Sequence, residues 1–223
     1  MAVALARPAV EAEEVADGFF LLRRFLDRAA QEAALAACER VAAAAPFITP
    51  TMPDGTPFRV AMTNAGEWGW LSDKSGYRYD RRHPETGALW PPVRAILEEI
   101  AAQAVAAALG QAAATAYRPQ CFLINRYAAG RGRLGLHQDR DERDRSQPIV
   151  TLSLGADAVF LAGGARRADP KQRVLLASGD VLVMGGPGRM AYHGIDRLLP
   201  TLGALMPDGS RLSVTSRRVD PVA

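Results

Sequence analysis

Apolar residues recur at helical spacing in two stretches of the chain. The first covers residues 27–45, where Asp27 is a residue type that favours a helix N-cap and Pro46 marks the end of the pattern. The second covers residues 93–109, follows two prolines and ends before Gly110, which suits a helix C-terminus. The pattern therefore predicts two helices in the first half of the chain.

The pattern changes after Ala116, where short apolar runs are separated by Gly, Pro and Asp. The runs read "CFLINRY", "PIVTLSLG", "AVFLAGG", "RVLLASG", "DVLVMGG", "RMAYHGI" and "RLSVTSR". Runs of this length and spacing are typical of an all-β sandwich or barrel such as a jelly roll. The early helices are expected to pack on the outside of this β core, which makes an α+β fold.

The segment between the two helices has no long period and is rich in Gly, Pro and aromatic residues, which favours short hairpins with exposed rings. We therefore divide the chain into an N-terminal helical extension (1–45), a hairpin-rich segment (46–92), and a packing helix with the β core (93–223). All three parts are expected to form one folding unit.

Composition narrows the class of protein. The 223 residues can bury a sizeable core, and the two cysteines, Cys38 and Cys121, lie far apart, as expected in a reducing compartment. The first 20 residues do not resemble a signal peptide, and no apolar run is long enough to cross a bilayer. We expect a cytoplasmic protein that has no membrane partner.

The net charge of +3 permits nucleic-acid binding without requiring it. Nearly all basic residues are arginines, since Lys74 and Lys171 are the only lysines. Arginine makes flat, bidentate contacts with phosphate and carboxylate. A coding bias towards arginine is the better explanation of this preference, because the chain is also rich in alanine.

Two of the three histidines belong to a candidate metal site. His137 and Asp139, in "LGLHQDRD", are two residues apart and would share one face of a strand. His193, in "RMAYHGI", is the later histidine. Two histidines and a carboxylate form the facial triad of non-haem Fe(II) oxygenases, although zinc accepts the same ligands.

Two arginines in the last apolar run, Arg211 and Arg217, are six residues apart and share one face of the predicted strand. If that strand lines the core, two buried guanidinium groups would need an acidic partner, and a dicarboxylate would serve. An edge strand with both arginines in solvent is the alternative. His83 has no partner by spacing and is interpreted as a surface histidine.

Together these residues resemble the AlkB family of Fe(II)- and 2-oxoglutarate-dependent nucleic-acid dealkylases. The resemblance covers residues 46–218 and is carried by "NRYAAGRGRLGLHQDRDE", "PIVTLSLG", "GDVLVMGG", "YHGI" and "RLSVTSR". The family pattern is Asn-x-Tyr, His-x-Asp, His and Arg-x-Asn-x-x-x-Arg, in that order. The resemblance implies a double-stranded β-helix core (jelly-roll, cupin-like), with Fe(II), 2-oxoglutarate and O2 as cofactor and cosubstrates.

The resemblance also assigns roles. The implied iron ligands are His137, Asp139 and His193, and the implied 2-oxoglutarate residues are Asn125, Tyr127, Arg211, Ser213 and Arg217. Within the second set, Arg217 would pair with the distal carboxylate and Arg211 with the end near the metal. Ser213 stands where the family has Asn, and its hydroxyl is shorter and offers one donor instead of two. This departure concerns the cosubstrate and leaves the metal ligands unchanged.

The segment before the core resembles the nucleotide-recognition lid of the family, in "AMTNAGEWGW" and "SGYRY". Trp70 would stack on a flipped base whose other face meets His137, and Tyr77 would bond the phosphate backbone. Trp70 could equally be an aromatic residue of a hairpin core. Met62 could pack beside the base or fill the same core.

Two further residues have two interpretations each. Asp141 would attract a cationic methylated base, or it would be a solvated partner of a neighbouring arginine. Arg167 would close over the site, or it would be surface charge. The run "LGLHQDRDERD" at residues 134–144 is called the acidic run, and its charges alternate in sign. Some arginines in and around it are expected to meet phosphate: Arg131, Arg133, Arg140, Arg143 and Arg145.

The resemblance predicts oxidative demethylation of N-alkylated bases such as 1-methyladenine and 3-methylcytosine in single-stranded or double-stranded DNA, with RNA as a further substrate. The products would be formaldehyde, succinate and CO2, and the role would be direct reversal of alkylation damage by a monomeric enzyme. One alternative is an oxygenase of the same class that acts on a small molecule or a protein. The other is a non-enzymatic jelly roll that binds nucleic acid.

Overall fold

The computed structural model describes residues 10–201 and 205–221. The strands are β1 (Glu13–Ala16), β2 (Phe19–Leu22), β3 (Ala61–Gly66), β4 (Gly69–Asp73), β5 (Gly76–Asp80), β6 (Cys121–Tyr127), β7 (Leu134–His137), β8 (Ile149–Gly155), β9 (Ala158–Ala162), β10 (Gln172–Leu176), β11 (Val181–Met184), β12 (His193–Leu198) and β13 (Arg211–Arg217). The helices are α1 (Arg28–Ala44), α2 (Ala95–Leu109) and α3 (Gln111–Ala116), with a 3-10 helix at Gly186–Met190.

Two antiparallel sheets form the core. The larger sheet has the order β1-β2-β11-β8-β13-β6-β3, and the smaller has the order β10-β9-β12-β7. One apolar cluster joins residues of both sheets, among them Leu123 and Ile149 from the larger and Phe160 and Ile195 from the smaller. This arrangement confirms the α+β fold with a jelly-roll core.

Strand β13 shows how the larger sheet separates two environments. Leu212 and Val214 point to the helical side, where they join the apolar cluster that contains α1 and α2. The alternate residues Arg211, Ser213 and Arg217 line a cavity on the other side. Because β13 lies between β8 and β6, the alternative of an edge strand with solvated arginines is wrong.

Both predicted helices are confirmed. The backbone N–H of Ala30 donates to Asp27 Oδ1 at 2.8 Å, which caps α1 as the sequence predicted. Helix α2 ends at Leu109 and is followed by Gly110, whose positive φ of 89° suits the glycine. Among described residues, no helix has the length and apolar character needed to cross a membrane.

The N-terminal segment differs from the predicted helical extension, because it also contains two strands. Strand β2 pairs with β11 and therefore belongs to the larger sheet. Its side chains explain this position: Phe19, Leu21 and Leu22 are fully buried. Four-residue strands carry too little period for the sequence to reveal them. Residues 1–9 of the predicted extension lie outside the described residues.

The hairpin-rich segment contributes to two structures. Strand β3 pairs with β6 at the edge of the larger sheet, whereas β4 and β5 form a separate hairpin. The interpretation of His83 as a surface residue is wrong. Its Nε2 lies 2.8 Å from the carbonyl oxygen of Pro46, and its Nδ1 accepts backbone N–H groups from Glu85 and Thr86. This histidine ties the two ends of the segment together.

Candidate active site

The three predicted metal ligands meet at one point. His137 ends β7, His193 begins β12, and the two residues are paired across the smaller sheet. One ring nitrogen of each histidine and one carboxylate oxygen of Asp139 all lie within 4.8 Å of one another. The sequence predicted that His137 and Asp139 share one face of a strand. Strand β7 ends at His137, so the position of Asp139 is set by the loop that follows.

Both histidines have one ring nitrogen held by the backbone. His137 Nδ1 lies 2.9 Å from the Gly135 carbonyl oxygen, and His193 Nδ1 lies 3.0 Å from that of Ala191. A carbonyl oxygen can only accept, so each Nδ1 carries the proton and each Nε2 has a free lone pair. Burial and the neighbouring His137 lower the pKa of His193 to about 4, which keeps its ring neutral. His193 is therefore in the form that binds a metal, and both rings keep Nε2 as the nitrogen that is not held by the backbone.

Asp139 is the charged centre of this group. Burial by itself would raise the pKa of Asp139, but the guanidinium of Arg217 and the two histidines outweigh burial and hold it well below its usual range. Arg217 Nη2 lies 3.2 Å from Asp139 Oδ2. The histidine nitrogens lie 3.5 Å and 3.9 Å from the carboxylate oxygens. A carboxylate is thus present for a cation at neutral pH.

A second polar group occupies neighbouring positions of β6 and β13. Arg211 is paired with Tyr127, and Ser213 with Asn125, so the four side chains share one face. Arg211 is fully buried and donates to Ser153 Oγ at 2.8 Å, while its guanidinium lies over the Tyr127 ring.

Several buried polar atoms of this group have no partner among the described residues: Arg211 Nε, Arg211 Nη1 and Asn125 Oδ1. Leaving a buried donor unsatisfied is costly, so the two Arg211 nitrogens indicate a site for an anionic ligand, whereas Asn125 Oδ1 is an acceptor that would need a donor. The contacts of the two arginines are the opposite of those the resemblance implied. Arg217 lies at the metal ligands, and Arg211 has the donors that remain free.

The sequence missed three residues of the centre: Tyr79, Glu142 and Arg189. Glu142 is buried and contacts Arg217 Nη1 at 3.3 Å, Arg189 Nη2 at 3.2 Å and the Tyr79 hydroxyl at 2.6 Å. Glu142 belongs to the acidic run that the sequence analysis singled out, yet alternating charges there gave no sign of which carboxylate is buried. Its partners come from segments far apart in the chain.

Aromatic residues form the mouth of the site. Trp70 stacks on Tyr77 with ring centroids 5.8 Å apart, and Phe58 meets Trp70 edge-on. Trp70 Nε1 donates to Asp141 Oδ2 at 2.9 Å, which links the β4–β5 hairpin to the metal loop. Tyr77 is 48% exposed, as a contact for a large ligand would be. Met62, in contrast, is buried in the apolar cluster beside the site.

Of the remaining candidate arginines, Arg140 and Arg167 line the cavity described below, and the others do not. Arg167 donates to the Leu136 carbonyl oxygen at 2.9 Å, and its guanidinium lies over the Tyr192 ring. Arg143 is bonded to Asp220, and Arg145 donates to the Glu142 carbonyl oxygen, so both have partners within the protein. The other arginines of the run are exposed: Arg131, Arg133 and Arg140.

One cavity of about 480 Å³ joins these groups. Every residue that the sequence singled out for metal, cosubstrate or substrate lines it: Met62, Trp70, Tyr77, Asn125, Tyr127, His137, Asp139, Asp141, Arg167, His193, Arg211, Ser213 and Arg217. The metal ligands and the buried arginines lie on its floor, and the aromatic rings lie at its mouth. A ligand at the mouth would therefore face the metal.

The residues fit an iron ion and 2-oxoglutarate. Two imidazoles and one carboxylate match the facial triad and leave other coordination positions open. The unpartnered donors of Arg211 match a carboxylate at the far end of a short diacid.

Comparison with known proteins agrees with this donor set. The family model of the 2OG-Fe(II) oxygenase superfamily matches residues 18–217. The chain is 44% identical to an alpha-ketoglutarate-dependent dioxygenase AlkB homolog of Caulobacter vibrioides, over 92% of this chain and 89% of that protein. It is 47% identical to the alpha-ketoglutarate-dependent dioxygenase AlkB of Salmonella typhimurium, over 83% of each chain.

The fold agrees as well. The solved structure of OsALKBH1 superposes with a TM-score of 0.78 and 29% identity, and the match covers 93% of this chain and 99% of that one. Together with the family model and the two relatives, these matches show that the chain belongs to the AlkB family of Fe(II)- and 2-oxoglutarate-dependent dioxygenases.

Proposed function

We propose that this protein removes N-linked methyl groups from bases in DNA and RNA, with 1-methyladenine and 3-methylcytosine as substrates. The observation that carries the proposal is the single cavity with a metal triad on its floor and Trp70 at its mouth. When bound, Fe(II), 2-oxoglutarate and O2 supply the oxidation that hydroxylates the methyl carbon, with succinate, CO2 and formaldehyde as products. The protein supplies position and shelter.

The floor of the cavity would hold the reactants in order. His137, Asp139 and His193 would hold the iron through two Nε2 atoms and a carboxylate. Arg211 would pair with the distal carboxylate of 2-oxoglutarate, because its Nε and Nη1 have no other partner among the described residues. Arg217, already bonded to Asp139, would act at the metal end. Asn125, Tyr127 and Ser213 would complete the cradle.

The mouth of the cavity would hold the base. A base must leave its stack to reach the floor, and a methylated Watson–Crick edge pairs badly, which lowers that cost. Trp70 would exchange its stacking on Tyr77 for stacking on the base, while Tyr77 would turn to the phosphate backbone. Asp141 would attract the positive charge of the methylated ring, with Met62 beside it and Arg167 closing the rim.

The setting would be a monomer in the cytoplasm. One chain supplies the metal ligands, the buried arginines and the aromatic rings of the cavity. Cys38 and Cys121 are both buried and free, as expected in a reducing compartment.

The test is a turnover assay with purified protein. The protein is mixed anaerobically with Fe(II) and 2-oxoglutarate, and air and a 1-methyladenine oligonucleotide are then added. We expect succinate and loss of the methyl mass, both absent in His137→Ala. Succinate without methyl loss would contradict the proposed substrate and favour an oxygenase that acts on a small molecule or a protein.

Trp70→Ala separates base binding from the chemistry on the floor. This variant should keep the binding of 2-oxoglutarate. Its demethylation of the oligonucleotide should weaken, because the KM for the oligonucleotide should rise by a factor equivalent to about 1–3 kcal/mol. Unchanged demethylation in Trp70→Ala would show that the base binds elsewhere. Trp90→Phe is a suitable control, because Trp90 is buried on the far side of the hairpin beside His83.

A further inference from the structure

Glu142 is a buried carboxylate to which the proposed reaction gives no role. It lies three residues beyond Asp139 and is 1% exposed. Both of its oxygens are bonded: Oε1 accepts from the Tyr79 hydroxyl at 2.6 Å and from Arg217 Nη1 at 3.3 Å, and Oε2 accepts from Arg189 Nη2 at 3.2 Å. A carboxylate is seldom fully buried unless it is paired in this way.

Two of these partners also hold Asp139. Arg217 Nη2 lies 3.2 Å from the Asp139 carboxylate, and Arg189 Nη1 donates to the Asp139 backbone carbonyl at 2.7 Å. One arginine therefore fixes the side chain of this residue, and the other fixes its main chain. Glu142 contacts both guanidinium groups, so it sets the position of each.

The four charges balance without any ligand. Two carboxylates and two guanidinium groups are buried together, and the set is neutral. Removing one charge would leave a buried partner uncompensated, which is costly where the dielectric constant is low. The geometry of Asp139 thus depends on a residue that is not itself a metal ligand.

The third partner extends the set to the mouth of the cavity. Tyr79 lies on β5 directly opposite Trp70 on β4. This cross-strand pair contacts two consecutive acidic residues of the metal loop, because Trp70 donates to Asp141 and Tyr79 donates to Glu142. If the β4–β5 hairpin moves when a ligand enters, the Tyr79 hydroxyl would transmit that movement to Glu142.

We propose that Glu142 is a positioning residue that holds Asp139 in place for the metal through Arg217 and Arg189, and that Tyr79 links the hairpin to it. This inference rests on the metal centre and the base-binding mouth of the proposed function. Loss of a residue that holds a metal ligand in position typically lowers the affinity for the metal. The structure assigns the role to Glu142 because it contacts both arginines that hold Asp139.

The first test measures metal binding in the absence of turnover. Wild-type protein and Glu142→Gln are titrated with Mn(II) in the presence of 2-oxoglutarate and without nucleic acid. The amide keeps the shape and removes the charge, so we expect binding to weaken roughly 10–100-fold. Glu39→Gln, an exposed site on α1, is the matched control and should bind as wild type. Wild-type Mn(II) affinity in Glu142→Gln would overturn the proposal.

The second test uses Tyr79→Phe, which removes only the hydroxyl and remains informative if Glu142→Gln does not fold. Mn(II) affinity should fall by less than about tenfold. The stimulation of succinate formation by a 1-methyladenine oligonucleotide should be lost. Full stimulation in Tyr79→Phe would overturn the link to the hairpin. If wild-type protein binds Mn(II) and 2-oxoglutarate but does not demethylate, the proposed substrate fails, and the Mn(II) titration still decides the role of Glu142.

Discussion

The two ends of the cavity floor differ in how their buried charges are satisfied. At the metal end, Arg217 contacts Asp139 and Glu142, and only its Nε lacks a partner among the described residues. At the cosubstrate end, Arg211 is buried beside a tyrosine ring, and its Nε and Nη1 have no partner there. Both arginines lie on β13, six residues apart on one face. One end is assembled before any ligand arrives, whereas the other is completed by its ligand.

The difference appears in the acid–base properties of the two arginines. Burial opposes the charge of both, yet Asp139 and the other neighbours hold the pKa of Arg217 well above its usual range. Burial lowers the pKa of Arg211. The charged form of arginine is thus stabilised by its neighbours at position 217 and destabilised by burial at position 211. The charge at Arg211 is maintained at a cost that a dicarboxylate would relieve.

The largest expected effect comes from breaking the assembled end. Arg217→Met should lower the free energy of unfolding of the metal-free protein by about 3–5 kcal/mol, because two buried carboxylates are then left with the single guanidinium of Arg189 and one negative charge is uncompensated. Urea unfolding in the presence of a chelator measures this change. The same substitution at an exposed ion pair, Arg126→Met, should lower it by less than about 1 kcal/mol. Equal effects of the two substitutions would contradict the comparison.

Acid should also weaken the metal end in the metal-free protein. The pKa of His193 is lowered from 6.5 to about 4 in the folded protein. As the pH falls from 6.5 to 4, the unfolded chain therefore binds a proton at this residue before the folded protein does, and the free energy of unfolding decreases. The contribution is about 3 kcal/mol, since each pKa unit corresponds to about 1.4 kcal/mol. The lowered pKa of Asp139 acts in the same direction at lower pH.

Chemical denaturation across this pH range measures the slope. His193→Asn should flatten it between pH 4 and 6.5, because the titrating ring is gone. An unchanged slope in that variant would mean that another group carries the acid sensitivity.

The cosubstrate end should respond in the opposite way to the same type of substitution. Arg211→Met should leave the unfolding free energy of the ligand-free protein unchanged or raise it, because a strained buried charge is removed. It should weaken 2-oxoglutarate binding by about 1.5–3 kcal/mol, the usual value of a charge-assisted hydrogen bond. Calorimetric titration with Mn(II) present measures the affinity. A large loss of ligand-free stability would show that the bond to Ser153 and the contact with the Tyr127 ring already compensate the burial of Arg211.

The smallest expected effect concerns Ser213, which lies between Asn125 and Ser153 across the sheet. Ser213→Asn restores the residue of the family pattern and adds one donor beside the cosubstrate. We expect 2-oxoglutarate affinity to change by no more than about 1 kcal/mol, with stability unaffected. A tenfold or larger gain in affinity would mean that the serine limits cosubstrate binding in this chain.

The sequence predicted those parts of the molecule whose signal is local. The runs "CFLINRY" and "RLSVTSR" coincide with β6 and β13, and Asp27 caps α1. The run "RMAYHGI" predicted one strand, but the strand begins only at His193, after a 3-10 helix. The residues singled out for the site were found on one cavity because motif order reflects the order of strands in the chain.

The sequence did not predict features that depend on distant partners. Glu142 is buried because arginines from the 3-10 helix and from β13 reach it, and a charge run gives no sign of either. His83 is buried because backbone groups surround its ring. The contacts of the two arginines within the protein were not predicted for the same reason. Their spacing fixed the face of the strand but not which end meets the metal.

The position of β13 has a consequence for biosynthesis. Strand β13, the last strand among the described residues, lies in the middle of the larger sheet between β8 and β6, and β2 pairs with β11 across a long sequence separation. On the ribosome, β6 and β8 emerge long before the strand that separates them. The sheet therefore cannot close until β13 has been synthesised, and long-range pairing of this kind is slow. During that delay the nascent chain exposes two unpaired strand edges, where chaperones could act.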